Sequence, residues 1–340
     1  MDPTTKRKLG KTKLDVTVFG FGAAPIGGFR AAISEAQAGA TIEAAVKAGV
    51  TFFDTSPFYG YGRSELRMGT VLRGLPRDSF VLSTKIGRVM RPLKTGEVVH
   101  GLRSNGLPFV PIFDYSYDGV MRSLEHSLLR LGLSRVDILF IHDVDYWSLK
   151  DNDLLEKHFK QAMDGGYRAL DELRRAGVIS AIGVGLNESA MCTRFARAGD
   201  FDCMLLAGRY TLLEQGAMTE FMPLAEKKNI SVIIGGPYNS GILTGGVKPG
   251  AKYDYADAPT DILARARRLE EICQRHDVPL AAAAIQFPLA HPAVAAVIPG
   301  ALNPAEIEAN AAHLRRKIPA ALWAELHHEK LLDPATPVPA

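Results

Sequence analysis

The pattern that decides the fold is clearest in residues 117–143, YDGVMRSLEHSLLRLGLSRVDILFIHD. Its first part predicts a helix that ends near Gly132, because glycine commonly follows the last helical residue. Its second part, VDILFIHD, is a short apolar run without alternation, which is typical of a strand covered on both faces. The same helix-then-strand unit recurs along the chain, so a parallel sheet is the expected core.

Eight such units predict a closed (β/α)8 barrel, because right-handed crossovers place every helix outside the sheet. Residues 8–22, KLGKTKLDVTVFGFG, predict a small hairpin and a first strand. A doubly wound sheet is the rival fold, but residues 20–28, GFGAAPIGG, do not match the GxGxxG pattern it normally carries. We expect one barrel domain over residues 1–340, with the barrel at about 15–315 and a C-terminal helix and tail at 316–340.

Composition and charge exclude several classes of protein. Among 340 residues, 40 basic and 37 acidic side chains leave a net charge of +3, too small to indicate a nucleic-acid partner. Cys192, Cys203 and Cys273 lack metal-site spacing, so we expect reduced thiols and no metal. No apolar run approaches the ~18 residues of a membrane helix, and the N-terminus lacks an apolar signal segment. These features predict a cytoplasmic protein without a membrane partner, of unknown oligomeric state.

Two segments are longer than a barrel needs, at about residues 88–114 and 145–164. Both follow strands, on the face where barrel active sites lie, and long loops in compact domains are usually functional.

Four polar residues stand at or just beyond the ends of predicted strands two, three and four. They are Asp54, Tyr59, Lys85 and His142. Each has an ordinary structural explanation: a turn cap, loop packing, a lysine reaching water, and a satisfied core histidine. Their coincidence at one mouth of a barrel favours a catalytic site instead.

The combination makes chemical sense. A free tyrosine titrates near pH ~10, whereas an ammonium about 4 Å away contributes at most ~4 kcal/mol at an effective dielectric of ~20. Lys85 is therefore expected to lower the pKa of Tyr59 by up to two or three units, at ~1.4 kcal/mol per unit. Asp54 would hold the lysine charged, and an N–H of His142 would fix a substrate oxygen.

The chain resembles the aldo-keto reductase superfamily along nearly its whole length, in six motifs that occur in the expected order. They are KLGKTKLDVTVFGFGAAPIGG (8–28), FFDTSPFYGYGRSE (52–65), VLSTKIG (81–87), LGLSRVDILFIHD (131–143), AIGVGLN (181–187) and VIPGALNPAEIEAN (297–310). The resemblance implies an extended nicotinamide dinucleotide across the barrel mouth. It also implies a catalytic tetrad of Asp54, Tyr59, Lys85 and His142, with Tyr59 as general acid and base.

Further stretches, including FGAAPIGG (21–28) and AMDGGYRALDELRRAGVISAIGVGLNE (162–188), look like a narrower group. This group comprises the D-threo-aldose (L-fucose type) 1-dehydrogenases and the pyridoxal 4-dehydrogenases. The likeness implies that Tyr59, as phenolate, helps to oxidise a cyclic hemiacetal to a lactone. The substrate would be an aldose such as L-fucose, D-arabinose or L-galactose, or alternatively pyridoxal.

The cofactor contacts are also implied by the resemblance, with departures. Asn187 replaces the usual serine–asparagine pair as ligand of the nicotinamide amide, although it is equally suited to cap a helix that starts near residue 188. Gly235 stands where relatives often carry a stacking aromatic ring. The other implied cofactor residues are Gly22, Asp54, Pro237, Ser240, Gly241, Leu243, Gly300, Glu306 and Asn310.

Glu306 bears on the choice of dinucleotide. It occupies the place where NADP-dependent relatives carry an arginine, and Leu302 removes a second possible base nearby. A carboxylate repels a 2′-phosphate but accepts hydrogen bonds from a ribose hydroxyl. Asn303 and Glu306 also fit a capping box with Pro304 at the first helical position, and both roles are compatible. The sequence therefore predicts NAD over NADP.

Phe29, Phe58, Trp147 and Tyr238 lie on loops at the expected mouth, where they would line a substrate pocket or pack within the loops.

Two other classes of function compete with the oxidoreductase. A class I aldolase-like barrel would use Lys85 as a Schiff-base amine. A non-catalytic nucleotide-sensing subunit is disfavoured, because all four tetrad residues are present.

Overall fold

The computed structural model describes residues 1–29, 31–98, 105–245 and 247–339. Short strands alternate with helices along almost the whole chain. The strands are β1 (Lys6–Lys8), β2 (Asp15–Thr17), β3 (Phe21–Gly22), β4 (Phe52–Asp54), β5 (Val81–Pro92), β6 (Phe109–Asp114), β7 (Ile138–His142), β8 (Ala181–Leu186), β9 (Cys203–Ala207), β10 (Ser231–Gly235), β11 (Lys252–Tyr253), β12 (Ala256–Asp257) and β13 (Val294–Ile298).

Eight of the described strands form a parallel barrel, in the order β13-β10-β9-β8-β7-β5-β4-β3. Its two outer members, β3 and β13, come together through the isolated parallel bridges Phe19–Val297 and Gly22–Gly300. The barrel is therefore nearly closed, which confirms the predicted (β/α)8 fold. The predicted N-terminal hairpin is also present, because β1 and β2 pair antiparallel.

The helices pack outside the barrel, as right-handed crossovers require. They are α1 (Glu35–Lys47), α2 (Arg63–Leu72), α3 (Tyr117–Leu131), α4 (Tyr146–Leu149), α5 (Asn152–Gln161), α6 (Tyr167–Arg175), α7 (Ser189–Ala198), α8 (Phe221–Lys227), α9 (Thr260–Arg275), α10 (Leu280–Gln286), α11 (Pro304–Arg315) and α12 (Ala320–His328). A π-helical turn, Ala162–Gly166, joins α5 to α6. Within the described ranges, none of these helices combines the length and apolarity needed to cross a bilayer.

The inside of the barrel is apolar at one end. Leu9 and Val16 of the N-terminal hairpin pack there with Phe52, Ile138 and Phe140 from the barrel strands. The hairpin therefore closes the amino-terminal end of the barrel, which leaves the carboxyl ends of the strands to form the functional mouth. The three cysteines are buried free thiols.

The two long segments beyond β5 and β7 are more regular than predicted. Strand β5 continues past the barrel and pairs antiparallel with β6, from Gly87–Asp114 to Pro92–Phe109, so an arm replaces much of the expected loop. Residues 99–104 of that predicted loop lie outside the described residues. The second segment is largely helical, because Asp145 and Asp151 accept hydrogen bonds from Ser148 N and Leu154 N and so cap α4 and α5. Both segments were expected as long loops, and they contain regular structure because strand pairing and helix capping satisfy their backbone groups.

Gly22 lies at the seam of the barrel, and we expect Gly22→Ala to lower the free energy of unfolding by about 1–3 kcal/mol. A Cβ atom there would lie 2.7 Å from the carbonyl oxygen of Ile298, a backbone atom that cannot swing away. Urea unfolding followed by circular dichroism measures the effect. Gly39→Ala is the matched control, since a Cβ there meets nothing within 4 Å. This change within α1 should stabilise the protein by about 0.5–1 kcal/mol, and equal behaviour of the two variants would contradict the steric explanation.

Candidate active site

The four predicted catalytic residues come together at the carboxyl ends of three neighbouring strands. Asp54 ends β4, Lys85 lies in β5 and His142 ends β7. Tyr59 lies in the turn between β4 and α2, where its backbone N–H donates to Ser56 O at 3.1 Å. This turn needs glycine at residue 60, because φ is +65° and a Cβ would lie 1.9 Å from Gly27 O.

Lys85 and Asp54 form a buried ion pair whose groups are well satisfied. Lys85 Nζ donates to Asp54 Oδ2 at 2.6 Å and to the carbonyl oxygen of Thr55 at 2.8 Å. Asp54 Oδ1 accepts a further hydrogen bond from Ser83 Oγ at 2.7 Å. The lysine and aspartate side chains are only 1% and 2% exposed. Lys85 Nζ also lies 4.7 Å from the centroid of the Tyr59 ring, so the ammonium stands beside both the carboxylate and the phenol.

The expected lowering of the Tyr59 pKa is wrong. Burial raises the pKa of Tyr59 well above its ordinary value, and the charges of Asp54 and Asp143 act in the same direction. The charge of Arg88 lowers the pKa of Tyr59, but by less than the other causes raise it. The physical reason is that Asp54 largely compensates the charge of Lys85, while the phenol loses the hydration that would stabilise its anion. Tyr59 is therefore a protonated phenol near neutral pH.

His142 is held from several sides. Ser56 Oγ lies 3.3 Å from its Nδ1 atom, and Arg88 Nη1 lies 3.4 Å from the same nitrogen. The hydroxyl of Tyr115 donates to the backbone oxygen of His142 at 2.6 Å. The imidazole centroid lies 5.9 Å from the centroid of the Tyr59 ring. One substrate oxygen placed between the two rings would therefore be within reach of both side chains.

A cavity of about 610 Å³ opens at this mouth. Tyr59, Lys85 and His142 line it, and Asp54 lies behind Lys85. Among the residues predicted to meet substrate or nicotinamide, Phe29, Phe58, Trp147 and Asn187 also line the cavity. Within the described part of the chain Tyr238 is not in this lining. Its hydroxyl donates to Asn310 Oδ1 at 2.7 Å, so we do not assign it to the substrate site.

Several residues of the cavity wall were not found from the sequence, among them Arg88, Asp143 and Tyr255. Strand alternation would place Lys85 and Arg88 on opposite faces. Gly87 lies between them with φ of +106°, which interrupts that alternation and allows both side chains to reach the cavity. Asp143 follows His142 directly, and this position just beyond a strand end could have identified it as a site residue. Tyr255 belongs to the distant β11–β12 hairpin, and no sequence pattern indicates that it reaches the site.

Asn187 is bound to the acidic residues that follow β7. Its backbone N–H donates to Asp145 Oδ2 at 2.6 Å, and its Nδ2 atom lies 3.1 Å from both Asp143 Oδ1 and Asp145 Oδ2. Helix α7 has Glu188, not Asn187, at its N-cap, so the capping interpretation was wrong. The side-chain N–H groups of Asn187 thus donate to carboxylates. Its side-chain carbonyl oxygen is the group suited to accept a hydrogen bond from a ligand amide.

A second space lies beyond β10, at the predicted diphosphate loop. Ser240 and Gly241 have φ values of +64° and +99°, and they line a cleft of about 250 Å³ together with Lys248 and Lys252. Pro237 and Leu243 are buried in the same loop. Hydroxyl, backbone and ammonium groups are the donors that phosphate oxygens require.

The remaining cofactor residues lie at the barrel seam and on α11. Gly22 and Gly300 are bridged to each other, and Asn310 is buried beneath Tyr238. Glu306 N donates to Asn303 Oδ1 at 3.0 Å, while the Glu306 carboxylate accepts from Asn303 Nδ2 at 3.0 Å and from Leu302 N at 2.8 Å. The side chain is exposed at the start of α11, so the predicted capping interaction and an exposed negative charge occur together.

These spaces suit an extended dinucleotide. A small pocket connects the 610 Å³ cavity to the basic cleft: it shares Trp147, Asn187 and Tyr255 with the cavity and Ser240 with the cleft. A planar amide-bearing ring at Asn187 and phosphates at the lysine-lined cleft would match the donors and acceptors present.

Comparisons with known proteins agree on one family. The model of the Aldo/keto reductase family matches residues 18–328. A pyridoxal 4-dehydrogenase from Microbacterium luteolum is 44% identical over 96% of this chain and 98% of its own. A D-threo-aldose 1-dehydrogenase from a Pseudomonas species is 39% identical over 94% and 95% of the two chains. In structure, the holo form of an aldo-keto reductase from Bacillus halodurans superposes with a TM-score of 0.75, at 24% identity, over 98% of this chain and 97% of its own.

Proposed function

The chain belongs to the aldo/keto reductase family and is an oxidoreductase that acts on CH–OH groups, and we propose that it oxidises a cyclic hemiacetal to a lactone with NAD. The observation that carries this proposal is the junction of Tyr59, His142 and the buried Lys85–Asp54 pair at one cavity. Members of the family use nicotinamide cofactors.

Two hemiacetals are candidates for the substrate. The first is an aldose in its cyclic form, such as L-fucose, D-arabinose or L-galactose, oxidised at C1. The second is pyridoxal, which would give 4-pyridoxolactone, and the relative at 44% identity favours it. The aromatic side chains of the cavity wall suit both, because sugar faces and pyridine rings each pack on aromatic rings. These side chains are Phe29, Phe58, Phe113, Trp147 and Tyr255.

The side chains divide the proton chemistry among them. When bound, the nicotinamide supplies the acceptor for the hydride that leaves the hydroxyl-bearing carbon. Tyr59, as phenolate, removes the proton from the hydroxyl of that carbon, while His142 donates a hydrogen bond to the same oxygen. Lys85 stabilises the phenolate charge, and Asp54 keeps the lysine in place.

The same proposal assigns the cofactor contacts. Asn187 would accept a hydrogen bond from the nicotinamide amide, and Ser240 and Gly241, with Pro237 and Leu243 supporting their loop, would cover the diphosphate. Gly22 and Gly300, at the barrel seam beside Asp54, and Asn310 on α11 would complete the cofactor site. Glu306 would face the adenosine ribose.

We expect Glu306→Gln to raise kcat/KM with NADP relative to NAD, by about five- to tenfold. Glutamine keeps the side-chain oxygen that accepts from Leu302 N but removes the charge that repels a 2′-phosphate. Steady-state kinetics with both dinucleotides, at low and high salt, measure the change. The wild-type enzyme should prefer NAD, and a clear preference for NADP would refute the role of Glu306.

Glu308→Gln is the matched control for Glu306→Gln. Glu308 is also exposed on α11 and carries the same charge, but it lies two residues further along, on a different face of the helix. Removal of the Glu308 charge should change the ratio of kcat/KM with NADP to kcat/KM with NAD by less than about a factor of two. Equal shifts in the two variants would indicate a general charge effect and not a contact with the ribose.

The proposed reaction is tested by a spectrophotometric screen. NAD reduction at the nicotinamide wavelength is followed with L-fucose, D-arabinose, L-galactose and pyridoxal, and the product is identified as lactone by mass spectrometry. Reduction with a sugar selects the first candidate, and reduction with pyridoxal alone selects the second. If none of the four reduces NAD, the proposal is wrong.

The competing classes of function predict different results. A Schiff-base aldolase needs a neutral lysine amine, but Lys85 is paired with Asp54 and hydrogen-bonded to Thr55. Borohydride trapping of a substrate on Lys85 would support that class. Tight dinucleotide binding without turnover would support a nucleotide-sensing subunit. The cytoplasmic location remains a prediction from the buried, unpaired cysteines.

A further inference from the structure

A buried cation, Arg88, lies beside His142 and transfers no proton or hydride in the proposed reaction. Arg88 is 6% exposed and lies in the cavity wall. Its guanidinium carbon lies 4.0 Å from the centroid of the Phe58 ring and 4.7 Å from that of the Phe113 ring. Arg88 Nη1 also forms an ion pair with Asp143 Oδ2 at 2.9 Å. Two aromatic rings and a carboxylate therefore fix the planar group in one orientation.

The fixed guanidinium faces one nitrogen of the histidine. Arg88 Nη1 lies 3.4 Å from His142 Nδ1. A guanidinium donates hydrogen bonds and cannot accept them, whereas the hydroxyl of Ser56, 3.3 Å from the same nitrogen, can do either. Nδ1 must therefore be the acceptor in its contact with Arg88. In the neutral imidazole, the proton then resides on Nε2.

The second ring nitrogen has the opposite kind of neighbour. Asp143 Oδ1 lies 3.5 Å from His142 Nε2, and a carboxylate favours a protonated nitrogen beside it. Asp143 has φ of +55°, in the left-handed region that aspartate tolerates better than most residues. This backbone conformation lets one carboxylate contact Arg88 and also approach His142. Both sides of the imidazole thus favour the same tautomer.

We propose that Arg88 is a positioning residue that holds His142 in the Nε2–H tautomer, so that the imidazole presents a donor to the substrate oxygen. The consequence for substrate rests on the proposed function, whereas the tautomer does not. With the proton on Nδ1 instead, Nε2 would be an acceptor and would oppose the negative charge that develops as Tyr59 removes the proton. Two other titratable groups contact His142: Tyr59, whose ring centroid lies 5.9 Å from that of the imidazole, and Tyr115, whose hydroxyl donates to the His142 backbone oxygen.

The tautomer is observed directly in the full-length protein with 15N-labelled histidine. Two-bond 1H–15N correlation spectra distinguish the tautomers, and the His142 signals are assigned by their loss in His142→Gln. Wild-type His142 should be Nε2–H. In Arg88→Met, which removes the donor, we expect population of the Nδ1–H form and a kcat lower by at least about tenfold. The KM for NAD should change by less than about threefold, since Arg88 is not assigned to the cofactor.

A double variant separates positioning from simple charge pairing. Arg88→Met leaves the Asp143 charge without its partner and can fail to fold, whereas Arg88→Met/Asp143→Asn removes both charges. If Arg88 serves only to neutralise Asp143, the double variant regains wild-type kcat and keeps the Nε2–H form, which overturns the proposal. Arg88→Lys retains a cationic donor and should restore part of kcat.

The two proposals fail in different ways. An unchanged kcat in Arg88→Met, or a low kcat with His142 still in the Nε2–H form, overturns the role of Arg88. Absence of NAD reduction by the wild-type enzyme with every sugar and with pyridoxal overturns the proposed function. In that case the spectra of Arg88→Met still decide whether Arg88 sets the tautomer.

Discussion

Tyr59→Phe should lower kcat by about a hundred- to ten-thousandfold, the range that a positioned acid–base group contributes. The substitution removes one oxygen atom, the only one in the side chain that can carry the transferred proton. The ring keeps its contact with Lys85, whose Nζ lies 4.7 Å from the ring centroid. Cofactor affinity should therefore stay close to that of the wild type, as measured by quenching of protein fluorescence with NADH.

Tyr61→Phe is the matched control for this change. Tyr61 lies two residues away in the same turn, is 5% exposed, and undergoes the same loss of a hydroxyl. It should retain most of kcat. If Tyr59→Phe retains most of its kcat as well, Tyr59 does not transfer the proton and the proposed mechanism is wrong.

The pH profile of the wild-type enzyme tests the same residue without substitution. Because burial raises the pKa of Tyr59, the base form is scarce at neutral pH. Its fraction grows about tenfold per pH unit below that pKa, so kcat/KM for oxidation should rise with pH. Carbonyl reduction needs the protonated phenol and should not rise over the same range. Oxidation that is fastest in acid would contradict this assignment.

Lys85→Met should lower the free energy of unfolding by about 3–5 kcal/mol, because it leaves the carboxylate of Asp54 buried without its cation. The native pair is joined at 2.6 Å, and neither side chain is more than 2% exposed. Turnover should fall as well, since the phenolate of Tyr59 loses the neighbouring positive charge. Urea unfolding and NAD reduction measure the two effects.

The stability cost of Lys85→Met should depend on pH. Burial raises the pKa of Asp54, and the Lys85 charge opposes that rise. Without the lysine the folded-state pKa rises further, so the folded variant binds a proton that the unfolded chain releases. This contribution to stability is present at low pH and is lost as the pH rises through the folded pKa. The variant should therefore be less destabilised near pH ~5 than near pH ~8.

Two comparisons check the interpretation of Lys85→Met. The double variant Lys85→Met/Asp54→Asn removes both charges and should be more stable at pH ~8 than Lys85→Met alone. Lys160→Met breaks an ion pair with Asp164 in which the two side chains are 77% and 62% exposed, and should cost less than about 0.5 kcal/mol. Equal costs for the buried and the exposed pair would contradict the desolvation argument.

Much of the barrel could be predicted because each strand leaves a local signal. The apolar run that ends in His142 and the run that ends in Asp54 are read directly from neighbouring residues. The two long segments were less predictable, because their secondary structure depends on contacts with other parts of the chain. Strand β5 continues to Pro92 because β6 pairs with it, and residues 145–164 become helical through caps and packing.

The order of the strands along the chain, and the side chains at their carboxyl ends, follow from the sequence alone, because periodicity and strand termini are local properties. The closed barrel brings Arg88, Asp143 and Tyr255 together in one cavity wall, which no local pattern indicates. The closed barrel also places Tyr238 against Asn310 and raises the pKa of Tyr59 by burial. The reason is that desolvation and electrostatic fields depend on groups far apart in the chain. Their distances exist only after the barrel has closed.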